Sequence, residues 1–152
     1  VIWDLSTHDV SILTYLLNEQ PNSIKTLKKE NIKKGLCDNI YINLKYKRGI
    51  NALIKNSWIS PTKIRLIKIK FKNAIVYCDE NESLYKVKIY KKNNKKNLNK
   101  YMLEIPNLDH SEPLSKLTKY IHKSLTNNSN KLFENNFNLR VTSLLERIEK
   151  SS

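Results

Sequence analysis

Glycine is almost missing from this sequence. Two glycines in 152 residues cannot build the Gly-x-Gly-x-x-Gly turn that brings a backbone close to a dinucleotide, and no Walker-type loop is present, so the usual cradles for a nucleotide phosphate are excluded. Cysteine is as scarce. Cys37 and Cys78 stand far apart in no Cys-x-x-Cys pattern, which suggests neither a zinc site nor a disulfide framework and suits a reducing cytoplasm. No apolar run approaches a membrane span, and the first residues lack the basic start of a signal peptide. With no Gly-x-Ser-x-Gly elbow and no histidines paired at metal spacing, no hydrolase nucleophile and no metal are expected.

Arginine is the minor part of a large positive charge. The net charge is +14 and the pI about 9.7, yet Arg48, Arg65, Arg140 and Arg147 are the only arginines. Arginine is the usual fork for bases and phosphates, so a charge made of lysine reads as a surface composition rather than as a nucleic-acid interface. The run "KKNNKKNLNK" at 91–100 is most simply a solvated loop, with a basic phosphate-binding tract as the alternative.

What is present is patterned. A chain of 152 residues with 39% apolar content fits one domain with a modest core, spanning 1–152. "VIWDLSTHDVSILTYLL" reads as an amphipathic helix with Leu5, Ile12 and Leu16 near one face, widened by Leu13 and Leu17, and stopping at Asn18 to Pro21. In "NIYINLKYKR", Ile40, Ile42, Leu44 and Tyr46 alternate with Tyr41, Asn43, Lys45 and Lys47, the period of a strand with one face buried. "GINALIKNSW", "KIRLIKIKF", "NAIVYC" and "SLYKVKIY" follow, the last with Tyr85, Val87 and Ile89 alternating with lysines. Such short connections favour an antiparallel meander.

Helices close the chain. Ser111 caps the first, with Pro113 in its first turn and Leu114, Leu117, Tyr120, Ile121 and Leu125 as its stripe. The second carries Phe137, Val141, Leu144, Leu145 and Ile148 on one face. The expected fold class is α+β, a mixed, largely antiparallel open sheet covered on one face by helices. The chain also begins at Val1, inside what already reads as structure, which predicts a piece of something longer.

Three histidines are present, and one has an arranged partner. His110 sits beside Asp109 in a polar loop and His122 lies among lysines, both reading as surface residues. Asp4 and His8 are an i, i+4 pair. A carboxylate beside an imidazole fixes its orientation, which suits acid–base chemistry near neutral pH. The plainer alternative is that Asp4 caps the helix, Asp9 favours its dipole and His8 is an ordinary helix residue.

"WDLSTHDVSILTYLL" resembles the Asp-x-x-x-His segment, followed by Asp, that opens a helix of the C-terminal domain in the Gfo/Idh/MocA oxidoreductase family. "SWISPTKIRLIKIKFKNAIVYCDE" resembles that family's Ser-Trp-x-x-Pro-x-Lys-x-Arg block and the following strand ending in Tyr-x-Asp. "EPLSKLTKYIHKSL" and "NFNLRVTSLLERIEKSS" resemble its two closing helices. Ser6 stands where glycine or alanine is common in the family, and "KFKNAIVYC" lacks the glycine often found in that hairpin.

The resemblance implies the C-terminal, substrate-side domain of an NAD- or NADP-dependent oxidoreductase, cytoplasmic and acting on a sugar or sugar nucleotide. It implies a homo-oligomer formed through the sheet face. The Rossmann domain and the Glu-Lys-Pro block would precede Val1, so the chain alone is not expected to be active. On the same resemblance His8 is the acid–base group and Asp4 orients it. Trp58, Lys63 and Arg65 are substrate-binding candidates, a cationic pair being suited to a diphosphate. Their plainer reading is that Trp58 packs in the core and the cations flank a strand. The alternative function is a non-enzymatic basic module for self-association or polyanion binding.

Overall fold

The computed structural model describes residues 1–30, 32–92, 101–109, 112–126 and 135–151. Of the run 91–100 expected as a loop, Lys91 and Lys92 are in a strand instead, continuing the pairing that precedes them, and 93–100, like His110 and the capping Ser111, lie outside the described residues. The elements are a π turn (Ile2–Ser6), α1 (Thr7–Leu17), β1 (Ser23–Lys29), β2 (Asn39–Lys45), β3 (Asn51–Ser57), β4 (Leu66–Lys70), β5 (Ala74–Asp79), β6 (Val87–Lys92), β7 (Tyr101–Glu104), α2 (Pro113–Thr126) and α3 (Asn135–Lys150). The class is α+β, with every strand pairing antiparallel. The strands divide into two ladders, β1-β2-β3 and β4-β5-β6-β7, and the chain into two compact units, Val1–Pro61 with Tyr120–Ser152, and Thr62–Lys119.

In the first unit β2 is the central strand. Its alternation does what the sequence predicted: Ile40, Ile42, Leu44 and the following Tyr46 are buried. Tyr41 lies on the opposite face, with Lys29 and Lys55 above its ring. Ile54 of β3, Val10 of α1 and Val141, Leu144, Leu145 and Ile148 of α3 complete the core. One face of this sheet is thus helix-covered and the other meets solvent, the arrangement its period-two pattern requires.

The face of α1 differs from the expectation. Its buried positions are Val10 and Thr14, continuing Ile2 and Ser6 of the π turn, with Leu13 and Leu17 packed against the core and Leu16 exposed. A π turn takes more residues per turn than an α-helix, so it rotates the stripe away from the positions that simple α spacing selects. The helix stops as expected at Asn18, in the left-handed conformation with its N–H on the Thr14 carbonyl, which asparagine tolerates well.

In the second unit β4 and β5 form the hairpin anticipated from "KIRLIKIKFKNAIVYC". The Phe71 N–H donates to the Ala74 carbonyl at 2.8 Å. Neither Lys72 nor Asn73 has a positive φ, so the missing glycine is not required. β6 begins at Val87, leaving Tyr85 outside it, because the Asp79 N–H already closes that hairpin on the Lys86 carbonyl. β1 and β7 were not anticipated. α2 forms, but Leu114, Leu117, Tyr120, Ile121 and Leu125 are exposed rather than buried. No described residue of 62–119 is fully buried.

Candidate functional site

The π turn is where the first candidate residues sit. The Val1 carbonyl accepts both the Leu5 N–H at 2.9 Å and the Ser6 N–H at 3.3 Å. Thr7 Oγ1 closes the turn by donating to the Trp3 carbonyl at 2.7 Å. Asp4 lies inside this turn and its side chain caps no helix: Val1 and Ser6 occupy the cap positions, and neither makes a side-chain cap bond.

The Asp4 carboxylate is held from another element. Trp58 Nε1–H donates to Asp4 Oδ2 at 2.9 Å. Trp58 follows the last residue of β3, and its own N–H donates to the Asp38 carbonyl at 2.9 Å. Asp38 is buried. Its Oδ2 accepts the Ile32 N–H at 2.7 Å and its Oδ1 accepts Asn39 Nδ2 at 2.8 Å. A second bond runs parallel to the first, from Asn56 Nδ2 to Asp9 Oδ2 at 3.0 Å. The end of β3 is therefore stitched to the start of the helix by two neutral donors meeting two carboxylates, bonds stronger than neutral pairs of the same geometry.

His8 is exposed at the first turn of α1. No hydrogen bond links it to Asp4, and its carbonyl accepts the Ser11 hydroxyl at 2.7 Å. The structure thus joins Asp4 to Trp58, residues 54 apart in sequence, and leaves the imidazole without a side-chain partner among the described residues. Trp58 is 45% exposed, so it is not a core residue. Spacing along one helix could not reveal the Asp4–Trp58 bond. Asn56 and Asp38 went unnoticed because a polar residue in a strand or a loop carries no periodic signal.

Lys63 and Arg65 belong to the other unit. Arg65 Nη1 pairs with Glu80 Oε2 at 3.2 Å, both side chains about half exposed, and its carbonyl receives the Glu80 N–H. The Lys63 carbonyl accepts Asn81 Nδ2 at 2.9 Å. Both residues thus meet the turn that follows β5, and the Arg65 charge is already answered by a carboxylate. An exposed pair of this kind contributes little to stability, about 0–1 kcal/mol.

No group of three or more potential metal ligands occurs among the described residues, and no described helix is long and apolar enough to cross a membrane. A dinucleotide does not fit either: no parallel strand–helix–strand unit occurs among the described strands, and Gly35 and Gly49 are fourteen residues apart in separate turns. Cys37 and Cys78 are free thiols. Burial, helped by Glu80 and Asp79 and opposed by Lys86, raises the Cys78 pKa, which keeps it in the unreactive protonated form.

No family model and no curated protein matches the sequence. Solved structures do match the fold. UDP-N-acetylglucosamine 3-dehydrogenase from Acidithiobacillus ferrooxidans aligns with a TM-score of 0.82 at 16% identity, over 99% of this chain and 46% of its own. An aldose-aldose oxidoreductase from Caulobacter crescentus, complexed with glycerol, aligns at 0.74 and 12% identity over 97% and 44%. An oxidoreductase from Agrobacterium radiobacter, in complex with NAD+, L-tartaric acid and magnesium, aligns at 0.68 and 16% over 99% and 46%. This chain thus spans less than half the length of these structures and has the fold of their C-terminal domain.

Proposed function

We propose that this chain, which has the C-terminal-domain fold of the Gfo/Idh/MocA-type oxidoreductases, is the substrate side of an NAD(P)-dependent enzyme acting on a sugar or sugar nucleotide. The observation that carries the reading is the Trp58–Asp4 bond. It ties together two of the three sequence blocks that resemble the family. The nicotinamide cofactor, NAD or NADP, is on this reading held by a Rossmann domain outside this chain.

The residues of this chain would manage the substrate and its proton. Trp58 occupies Oδ2 of Asp4 and leaves Oδ1 to accept a substrate hydroxyl. His8, exposed and with no side-chain hydrogen-bond partner among the described residues, is the group that takes or returns the hydroxyl proton, since an imidazole suits general acid–base work. Asp4 acts here through the substrate and not by holding the His8 ring. Lys63 and Arg65 are secondary substrate contacts, and Arg65 would have to exchange Glu80 for a diphosphate. Free cysteines suit a cytoplasmic enzyme.

The second ladder supports self-association. Its register puts Ile67, Ile69, Val76, Cys78, Val87 and Ile89 on one face. None of them is buried, although β-branched residues at such positions ordinarily are. A second copy laid against this face would bury it. The basic binding module is not favoured, because the fold likeness runs to oxidoreductases over nearly the whole chain.

The deciding experiment replaces His8 with alanine in the full-length enzyme and follows steady-state turnover. Loss of a general acid–base group lowers kcat by about 10²–10⁴-fold while the cofactor KM stays put. Equal kcat in variant and parent would remove His8 from the reaction.

A further inference from the structure

An open cleft of about 570 Å³ lies between α3 and the connection from α1 to β1, lined by Gln20, Asn136, Leu139, Arg140, Ser143 and Arg147. Asn136, Arg140, Ser143 and Arg147 recur at spacings of three and four, so they form one continuous stripe of α3 beside the one that fills the core. Half of the chain's arginines therefore meet here. The cleft is remote from Asp4: it opens at the far end of α1, about 20 Å away at 1.5 Å per helical residue.

The two guanidinium groups are positioned but not neutralised. Arg140 Nη1 donates to Asn18 Oδ1 at 2.7 Å. Arg147 donates from Nη1 to Gln20 Oε1 at 3.3 Å and from Nη2 to the Pro21 carbonyl at 3.0 Å. Gln20 Nε2 in turn donates to the Arg140 carbonyl at 3.0 Å. Every one of these acceptors is neutral. Glu19 lies close enough to act with Arg147 on Tyr46, yet no ion pair joins either arginine to a carboxylate among the described residues. Arg140 Nη2 is sealed from solvent and has no acceptor at all among them. A guanidinium N–H enclosed without an acceptor is a costly arrangement, and turning the Arg140 guanidinium toward the cleft would let a bound anion relieve it.

The geometry points to a binding site for a compact phosphorylated anion, held between Arg140 and Arg147 with Ser143 and Asn136 as neutral donors. Phosphoryl oxygens match the planar fork of arginine, and two uncompensated charges suit a dianion better than a single carboxylate. Because the site does not include Asp4, His8 or Trp58, it stands whether or not the oxidoreductase reading does.

The test uses inorganic pyrophosphate and inorganic phosphate as probes, titrated into the intact protein by calorimetry at fixed ionic strength set with chloride. Saturable one-to-one binding is expected. It should weaken at least tenfold in Arg147→Gln and in Ser143→Glu, the latter placing a negative charge at an exposed position in the cleft, and stay unchanged in the control Lys68→Gln on the other unit. Melting temperatures identify any variant that fails to fold, and Ser143→Glu, which breaks none of the bonds described, serves if Arg147→Gln does. Absence of saturable binding overturns the proposal. So does binding that Lys68→Gln weakens as much as the cleft variants do, the signature of diffuse attraction to lysines.

Discussion

Replacing Trp58 with phenylalanine separates the site from the scaffold. The change keeps an aromatic ring and removes one donor, the Nε1–H that lies 2.9 Å from Asp4 Oδ2. Hydrogen bonds to charged groups contribute about 1.5–3 kcal/mol. Both partners here are exposed, Trp58 by 45%, so water replaces much of what is lost, and about 1 kcal/mol is the reasonable figure, a factor of about five. If Asp4 receives a substrate hydroxyl, the loosened carboxylate should raise the sugar-substrate KM of the full-length enzyme about fivefold with kcat little changed. That is the opposite split from His8→Ala. A double-mutant cycle with Asp4→Asn, read on kcat/KM, should return a coupling of about 1 kcal/mol. Additive effects in that cycle would show that the bond does not serve binding, and an unchanged KM in a variant that melts like the parent would refute the role given to Asp4.

Three buried hydroxyls lack partners among the described residues, those of Ser6, Thr14 and Tyr46, so Tyr46→Phe and Ser6→Ala should each stabilise by up to about 1 kcal/mol, a rise of about 2–4 °C in Tm by calorimetry. Burial, with Glu19 adding to it and Arg147 opposing it, pushes the Tyr46 phenol up to about 12 from its ordinary value of 10. The folded state then keeps a proton that the unfolded chain loses, so stability is intact below about pH 10 and falls as the pH rises towards 12. Tyr46→Phe should flatten that alkaline limb in denaturant titrations, and an unaltered limb would assign it to other groups. On the half-buried apolar face of the second ladder, Ile89→Lys should lower the solution mass measured by light scattering if that face joins two copies.

The strand β2 was readable because one face is core and the other is water. Its alternation survives into burial, with Ile40, Ile42 and Leu44 fully enclosed. The same holds for α3, whose Val141, Leu144, Leu145 and Ile148 are the positions its period selects. β1 and β7 escaped for physical reasons: burial alternates along "SIKTLKK", but Lys28 stands on its half-buried side and Leu27 on its exposed side, so residue type does not follow the faces, whereas "YMLE" is an edge strand exposed throughout. The stripe of α2 was legible but its fate was not, because the pattern says that a face is apolar and not what covers it. The π turn was invisible because its cause is a shared carbonyl at Val1, a backbone event with no fixed sequence signature. The residues that resemble a family motif could be named from sequence, whereas the partner of Asp4 could be found only in space.

The placement of those residues has a consequence for how the site fails. Core and site use different side chains of the same elements: Ile2 and Ser6 of the π turn and Val10 of α1 point inward, while Asp4, His8 and Trp58 face solvent. On β3, Ile54 and Asn56 share the buried face, Ile54 in the core and Asn56 reaching Asp9. Substitutions at exposed positions typically shift stability by less than about 0.5 kcal/mol, against about 2–5 kcal/mol for truncating a buried isoleucine. Loss of function at Asp4, His8 or Trp58 is therefore separable from loss of fold, whereas Asn56 and Asp38 are not: both are buried and hydrogen-bonded, so altering either one disturbs the scaffold and the site together. The polar groups that best fix the position of Asp4 and Trp58 are for this reason poor tests of what those residues do.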